Sequence, residues 1–179
     1  IPYVLINPLF TSMDQNKVAS KINEIKETRR KDSFKRNLET ITGEQLFDII
    51  HSVGTREDTL TRICEIMEQR EFVDTGFLTN VLEREAMSST AFGRIAIPHA
   101  IKMNAKKTGM LVLINEKGIE WGDLTVHVVL LFSVSKDDRR LFHDVVDALA
   151  AIFNEDGNIS RVMNAVDYQS FVDLLVACY

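Results

Sequence analysis

The segment TVHVVLLFSV, residues 125–134, constrains this chain more than any other. Its branched and aromatic residues do not alternate with polar ones, so a strand built from it has no face suited to water. Such a strand belongs in the middle of a sheet covered on both sides, and the cover must come from helices elsewhere in the chain. Two shorter apolar runs precede it, IAIPH at 95–99 and GMLVLI at 109–114, and both read as companion strands. Gly118 and Trp121 lie just before the long run.

The flanking segments carry the helical signals. Thr42 with Gln45 three positions on reads as a capping box, with Leu46, Phe47, Ile49 and Ile50 as the apolar face of the helix behind it. Thr55 and Asp58 mark a second helix start, followed by the stripe Leu60, Ile63, Cys64 and Met67. A third helix is expected over about 75–85, with Phe77, Leu78, Val81 and Leu82 on its apolar face. After the strands come helices at about 137–153, 158–164 and 167–177, the last capped by Asp167. The expected fold is α/β, a three-layer arrangement with a mixed β-sheet flanked by helices, over residues 41–179.

The first forty residues have a different texture. IPYVLINPLF at 1–10 suggests a short strand over Tyr3, Val4, Leu5 and Ile6, closed by Asn7 and Pro8. An amphipathic helix is expected over 13–31 with Val18, Ile22 and Ile25 on one stripe, and the polar stretch DSFKRNLET at 32–40 reads as a linker. One strand and one helix cannot enclose a core, so residues 1–31 are expected to be the tail of a preceding domain. With 45% hydrophobic and 26% charged residues, the remainder can bury a core of its own. No apolar window is long enough for a membrane span. The net charge of −5 argues against direct nucleic-acid binding. The basic run from Lys26 to Arg36 reads as a solvated helix end. Cys64 and Cys178 lie far apart without metal-ligand spacing and read as reduced thiols of a cytoplasmic protein. The chain opens on Ile1 without a basic-then-apolar leader and reads as part of a longer protein.

Chemistry is concentrated in REAMSSTAFGRIAIPH, residues 84–99. Arg84 and Glu85 end a helix, Ser88, Ser89 and Thr90 form a hydroxyl-rich loop, and a short strand stops at Pro98-His99. Proline lacks an amide hydrogen and has a fixed φ, so it ends strand pairing and sets the backbone before the histidine. An imidazole presented rigidly near hydroxyls and an arginine suits phosphoryl transfer, in which the protein's task is positioning and charge neutralisation. The same residues fit a structural histidine, and both readings stand on the residue pattern alone. The four histidines share no ligand spacing with acidic or cysteine partners, so no metal is implied. No phosphate-cradling glycine loop and no nucleophile elbow occurs, so no nucleotide cofactor or hydrolase chemistry is implied.

The segment resembles the phosphorylation-site motif of the fructose/mannitol-type IIA family of the bacterial sugar phosphotransferase system. The matching positions are Arg84, Glu85, Ser89, Thr90, Gly93, Ala96, Ile97, Pro98 and His99. The Trp121-Gly122 step, the long apolar strand and the closing helices extend the likeness over 41–179. The resemblance implies that His99 accepts the phosphoryl group, that Arg84, Ser89 and Thr90 hold its oxygens, and that no cofactor is needed. Transport members also place a second histidine early in the helix after the long strand. His143 is the candidate here, with Phe142 the alternative occupant of that position. His51 and His127 read as structural residues.

The implied partners are the histidine-containing phosphocarrier protein as donor and either a IIB domain or the chain's own regulatory domains. The resemblance allows three roles. The first is the terminal IIA-like module of a sugar-responsive transcription antiterminator or activator, with a homodimer formed through the full-length protein. The second is a transport IIA, alone or fused to IIB, and the third is a binding module that is never phosphorylated. The IIB-like texture of the first forty residues, a stretch between Gly93 and His99 one residue shorter than the transport pattern, and the open choice between His143 and Phe142 at the second-histidine position favour the regulator.

Overall fold

The computed structural model describes residues 12–179, so the strand expected at residues 3–6 lies outside the described part. One mixed sheet forms the middle layer. Its strands are β1 (Phe47–Ile50), β2 (Gly54–Thr55), β3 (Ala91–Phe92), β4 (Ile95–Ala96), β5 (Gly109–Trp121) and β6 (Leu124–Ser133). Their order is β1-β5-β6-β4-β3, with β2 pairing β5 beside β1. The run that has no wet face is thus β6, and it lies in the middle of the sheet as its composition requires. It pairs antiparallel with β5 and parallel with β4.

The helices are α1 (Ser12–Ile41), α2 (Arg56–Gln69), α3 (Phe77–Met87), α4 (Arg139–Phe153), α5 (Asn158–Val162) and α6 (Tyr168–Ala177). Successive strand residues point to opposite faces, and β5 and β6 feed two cores by that alternation. Met110, Val112, Ile114, Val128, Leu130 and Phe132 face α1, α4 and α6, while Leu111, Leu113, Val129 and Leu131 face α2 and α3. Three layers, helices–sheet–helices, follow directly. Thr55 caps α2 by accepting from the Asp58 amide, and Asp167 caps α6 in a capping box with Ser170. Cys64 is buried, and burial pushes its thiol up to about 12, so it is an inert core residue. No described helix is long and apolar enough to cross a membrane.

Two local expectations are corrected. Residues 44–50 do not form a helix: Glu44–Leu46 make one 3₁₀ turn and Phe47–Ile50 become β1, paired in parallel with Val112–Asn115 of β5. Thr42 is not a helix cap, because its hydroxyl donates to Leu38 O at 2.7 Å at the end of α1. A free strand position beside β5 suits Phe47, Ile49 and Ile50 better than a solvated helix does.

Nor is 32–40 a linker. It continues α1 without interruption, and Phe34, Leu38 and Ile41 are buried against α4 and α6. Charged residues between them mask the i, i+4, i+7 spacing of that apolar stripe. Val18, Ile22 and Ile25 lie on the other side of the same helix, at 51%, 47% and 43% exposure. The Arg30 guanidinium lies over the Tyr179 ring at 4.4 Å and donates to Tyr179 O at 2.9 Å, fastening α1 to the end of the chain.

One buried acid fixes the loop that leads to His99. Glu85, at 4% exposure on the last turn of α3, accepts from the Thr90 amide at 2.9 Å and Thr90 Oγ1 at 2.7 Å. It also accepts from Ser89 Oγ at 3.1 Å and Trp121 Nε1 at 2.7 Å. The loop is thereby tied to the end of β5. The Thr90 carbonyl then accepts from the Ile97 amide at 3.2 Å, and the Pro98 carbonyl accepts from the Phe132 amide at 3.0 Å. His99 is delivered beside Phe132 of β6.

Two stability outcomes follow. Leu38→Ala is expected to lower the unfolding free energy by about 2–5 kcal/mol, as for any fully buried leucine, while Ile22→Ala stays within about 0.5 kcal/mol of the parent. Equal, small effects in urea denaturation would return α1 to the status of a tether. Glu85→Ala strands four donors, and a loss of about 3–5 kcal/mol is expected, with a smaller loss for Glu85→Gln. The emission of Trp121, the chain's single tryptophan, reports that transition.

Candidate functional site

His99 follows the short strand β4 and is half-buried at the end of the sheet. Its Nδ1 lies 3.0 Å from the carbonyl oxygen of Ile97. A carbonyl can only accept, so Nδ1 carries the proton and Nε2 keeps its lone pair. The ring is held from a second side by Phe142, whose centroid is 5.4 Å from that of His99. Phe142 is in turn locked by an edge contact with Phe132 at 5.1 Å.

Burial is the main influence on the imidazole and lowers its pKa from the ordinary 6.5. The hydrogen bond to Ile97 O opposes the shift, the Arg84 charge adds to it, and the Glu85 charge opposes it. The net result favours a neutral ring at neutral pH, which is the nucleophilic form. Arg84 is half-buried on α3, and its Nη1 donates to Ser88 O at 2.8 Å.

The expected site residues divide into two groups. Arg84 is brought within electrostatic reach of His99. Ser89 and Thr90 are not placed as phosphoryl ligands, because each hydroxyl has one hydrogen and donates it to Glu85. They shape the loop. His143 does not join the site either: it is exposed on α4, and the ring packed on His99 is that of its neighbour Phe142. One position along a helix is a rotation of about 100°, enough to carry a side chain from the core-facing side to solvent. His51 pairs with Glu116 Oε1 at 2.9 Å in the solvent, and His127 Nδ1 donates to Asn115 O at 3.0 Å. Both are structural.

A cleft of about 160 Å³ opens beside His99. It lies between the α2–α3 connection and residues 100–105, and its polar lining includes Asp74, Thr75, Asn80, Lys102 and Asn104. The sequence does not single these out. Asn80 lies four residues before Arg84 on α3, a spacing that places both on one helix face, but this becomes visible only once that face is seen to meet the histidine.

The family model described as "Phosphoenolpyruvate-dependent sugar phosphotransferase system, EIIA 2" matches residues 40–177. Among curated proteins, the transcriptional regulator ManR of Bacillus subtilis is 20% identical over 98% of this chain and 27% of its own length. The probable licABCH operon regulator of the same organism is 23% identical over 97% of this chain and 26% of its own. The chain thus spans about a quarter of the length of these two relatives. Among solved structures, the complex of enzyme IIA for mannitol with phosphorylated enzyme IIB for mannitol from Escherichia coli superposes with a TM-score of 0.63. That likeness has 19% identity and covers 75% of this chain and 96% of that one. It establishes the fold, while the family match takes in the Arg84–His99 segment, the sheet and the closing helices. The chain belongs to the EIIA 2 family of the phosphoenolpyruvate-dependent sugar phosphotransferase system.

Proposed function

We propose that this module is the phosphoryl-accepting, IIA-like part of a sugar-responsive transcriptional regulator, and that the histidine-containing phosphocarrier protein phosphorylates it on Nε2 of His99. The observation that carries this reading is the Nδ1 contact with Ile97 O, which leaves Nε2 as the unprotonated nitrogen of a fixed, neutral ring. In the transfer, the Nε2 lone pair forms a new P–N bond as the donor's P–N bond breaks. The electron pair returns to the donor's ring nitrogen, which takes up a proton from water. The Nδ1 proton of His99, held on Ile97 O in the first product, is released to water and completes the balance.

Two observations favour a regulator over a transport enzyme. The similarity to the two regulators extends over the first forty residues, outside the matched family segment. In addition, α4 turns Phe142 and not a second histidine towards His99. On this reading residues 1–31 are the tail of a preceding IIB-like domain, and α1 runs from that tail into the IIA-like unit, whose core takes in Phe34, Leu38 and Ile41. A phosphoryl group adds nearly two negative charges, enough to change how this unit meets neighbouring domains of the same protein.

Incubation with phosphoenolpyruvate, enzyme I and the phosphocarrier protein is expected to add one acid-labile phosphoryl group by intact mass. His99→Ala should abolish it, while His143→Ala should leave the rate within about threefold, as for an exposed residue outside the site. A wild-type chain that gains no mass would leave only the binding-module reading. Rapid onward transfer to a IIB domain would restore the transport reading.

The lowered pKa of His99 has a defined sign. The unfolded chain binds the proton more readily, so stability is lost as pH falls from 6.5 towards the folded value. The acceptor should therefore remain neutral at pH 6.5, where a free imidazole is half charged, and an NMR titration of the His99 ring should give a midpoint below that pH.

A further inference from the structure

The hydroxyls beside the acceptor are committed to Glu85, so the phosphoryl oxygens must find other donors. A phosphoryl group brings close to two negative charges and three acceptor oxygens. On one flank of His99 stands Phe142, which offers no donor. The other flank is the cleft lined by Asn80, Lys102 and Asn104. Neither the ammonium of Lys102 nor the side-chain amide of Asn80 has a hydrogen-bond or ion-pair partner among the described residues. The acid in the same wall, Asp74, is paired with Lys106 at 3.0 Å. On α3, Phe77, Asn80 and Arg84 follow the i, i+3, i+7 spacing of one helix face. Phe77 and Asn80 line the cleft, and the Arg84 charge acts on His99 from the next turn.

We propose that the phosphoryl group carried by His99 is held in this cleft, with Lys102 as its counter-charge and the Asn80 amide as a neutral donor, while the Arg84 charge acts on the same ring. The inference rests on the reading of His99 as acceptor. It assigns Asn80 and Lys102 as phosphoryl-holding residues in place of Ser89 and Thr90, whose task is to shape the loop.

The test uses the chain described here with two donors. Phosphoramidate, a small donor that needs no docking surface, separates contacts with the phosphoryl group from contacts with a protein partner. The phosphocarrier protein, with phosphoenolpyruvate and enzyme I, is the second donor. Lys102→Met is expected to slow phosphorylation of His99 by about 10- to 100-fold with either donor, the range of a lost charge-assisted hydrogen bond. Asn80→Ala should slow it about 3- to 10-fold, as for a neutral hydrogen bond. Lys102→Arg should recover most of the rate, and the ³¹P resonance of the phosphohistidine should move in Lys102→Met. Thermal melting of all three variants should match the parent, since Lys102 is exposed and Asn80 only half-buried. If the wild type is phosphorylated and both removals stay within twofold with an unmoved resonance, the cleft assignment is overturned while the acceptor reading stands. If Lys102→Met slows only the phosphocarrier reaction, Lys102 serves docking and the assignment also falls. A wild type that takes no phosphoryl group from either donor overturns the acceptor reading, and the assignment with it.

Discussion

The local structure around His99 depends on one buried carboxyl group. Glu85 gathers the Ser89 hydroxyl, both donors of Thr90 and the indole N–H of Trp121. Those partners lie on a loop and at the far end of a long strand, so a single buried side chain at a helix end joins three elements. In a low-dielectric setting such a network is strong when every donor is matched and costly when any is not. Among the described residues no buried side-chain nitrogen or oxygen lacks a partner, so the network is complete. The loop therefore has one well-defined path from α3 to β4, and the histidine at its end inherits that precision.

The sheet supplies the rigidity behind it. β5 and β6 share the longest ladder in the molecule, and each sends alternate residues into two cores. Gly118 sits between Ile114 and Ile119, where the register shifts, at φ 93°, and a Cβ there would lie 2.6 Å from Thr125 Cγ2. The irregularity lets β5 carry Trp121 to the place where Glu85 waits. On the opposite layer, α1, α4 and α6 close the sheet with Phe34, Leu38, Val145 and Phe171. Because Phe142 belongs to α4 and touches His99, that histidine is in contact with the same helix that α1 packs against.

The His99 ring is defined by what each of its atoms faces. A backbone carbonyl takes Nδ1, aromatic carbon covers one flank, and polar side chains line the other. Nucleophilicity then comes from tautomer and burial and not from a neighbouring general base, which suits a reaction whose main demands are alignment and charge compensation. A phenylalanine beside the histidine gives that flank no proton to donate.

How much of this was legible in the sequence depends on the range of the interaction. The central placement of residues 125–134 follows from a run of apolar side chains that tolerates no water, whatever the rest of the chain does. The caps at Thr55 and Asp167, and the halt at Pro98 before His99, depend on atoms a few positions apart and were equally readable. The assignment of 42–50 failed because a helix and a strand are both acceptable to Phe47, Ile49 and Ile50, and only the vacant edge of β5 decides between them. The stretch 32–40 looked like a linker because its buried residues are outnumbered by charges, and only α4 and α6 reveal which side of the helix they cover. Ser89 and Thr90 carry hydroxyls in any reading, but Glu85 takes both hydrogens once the chain has folded. Whether Phe142 or His143 meets His99 is a matter of about 100° of helix rotation. The sequence alone determined the elements whose stability is local or overwhelmingly apolar. The tertiary structure decided which partner each donor, strand edge and helix face obtains, because those choices are competitions between groups far apart in the chain.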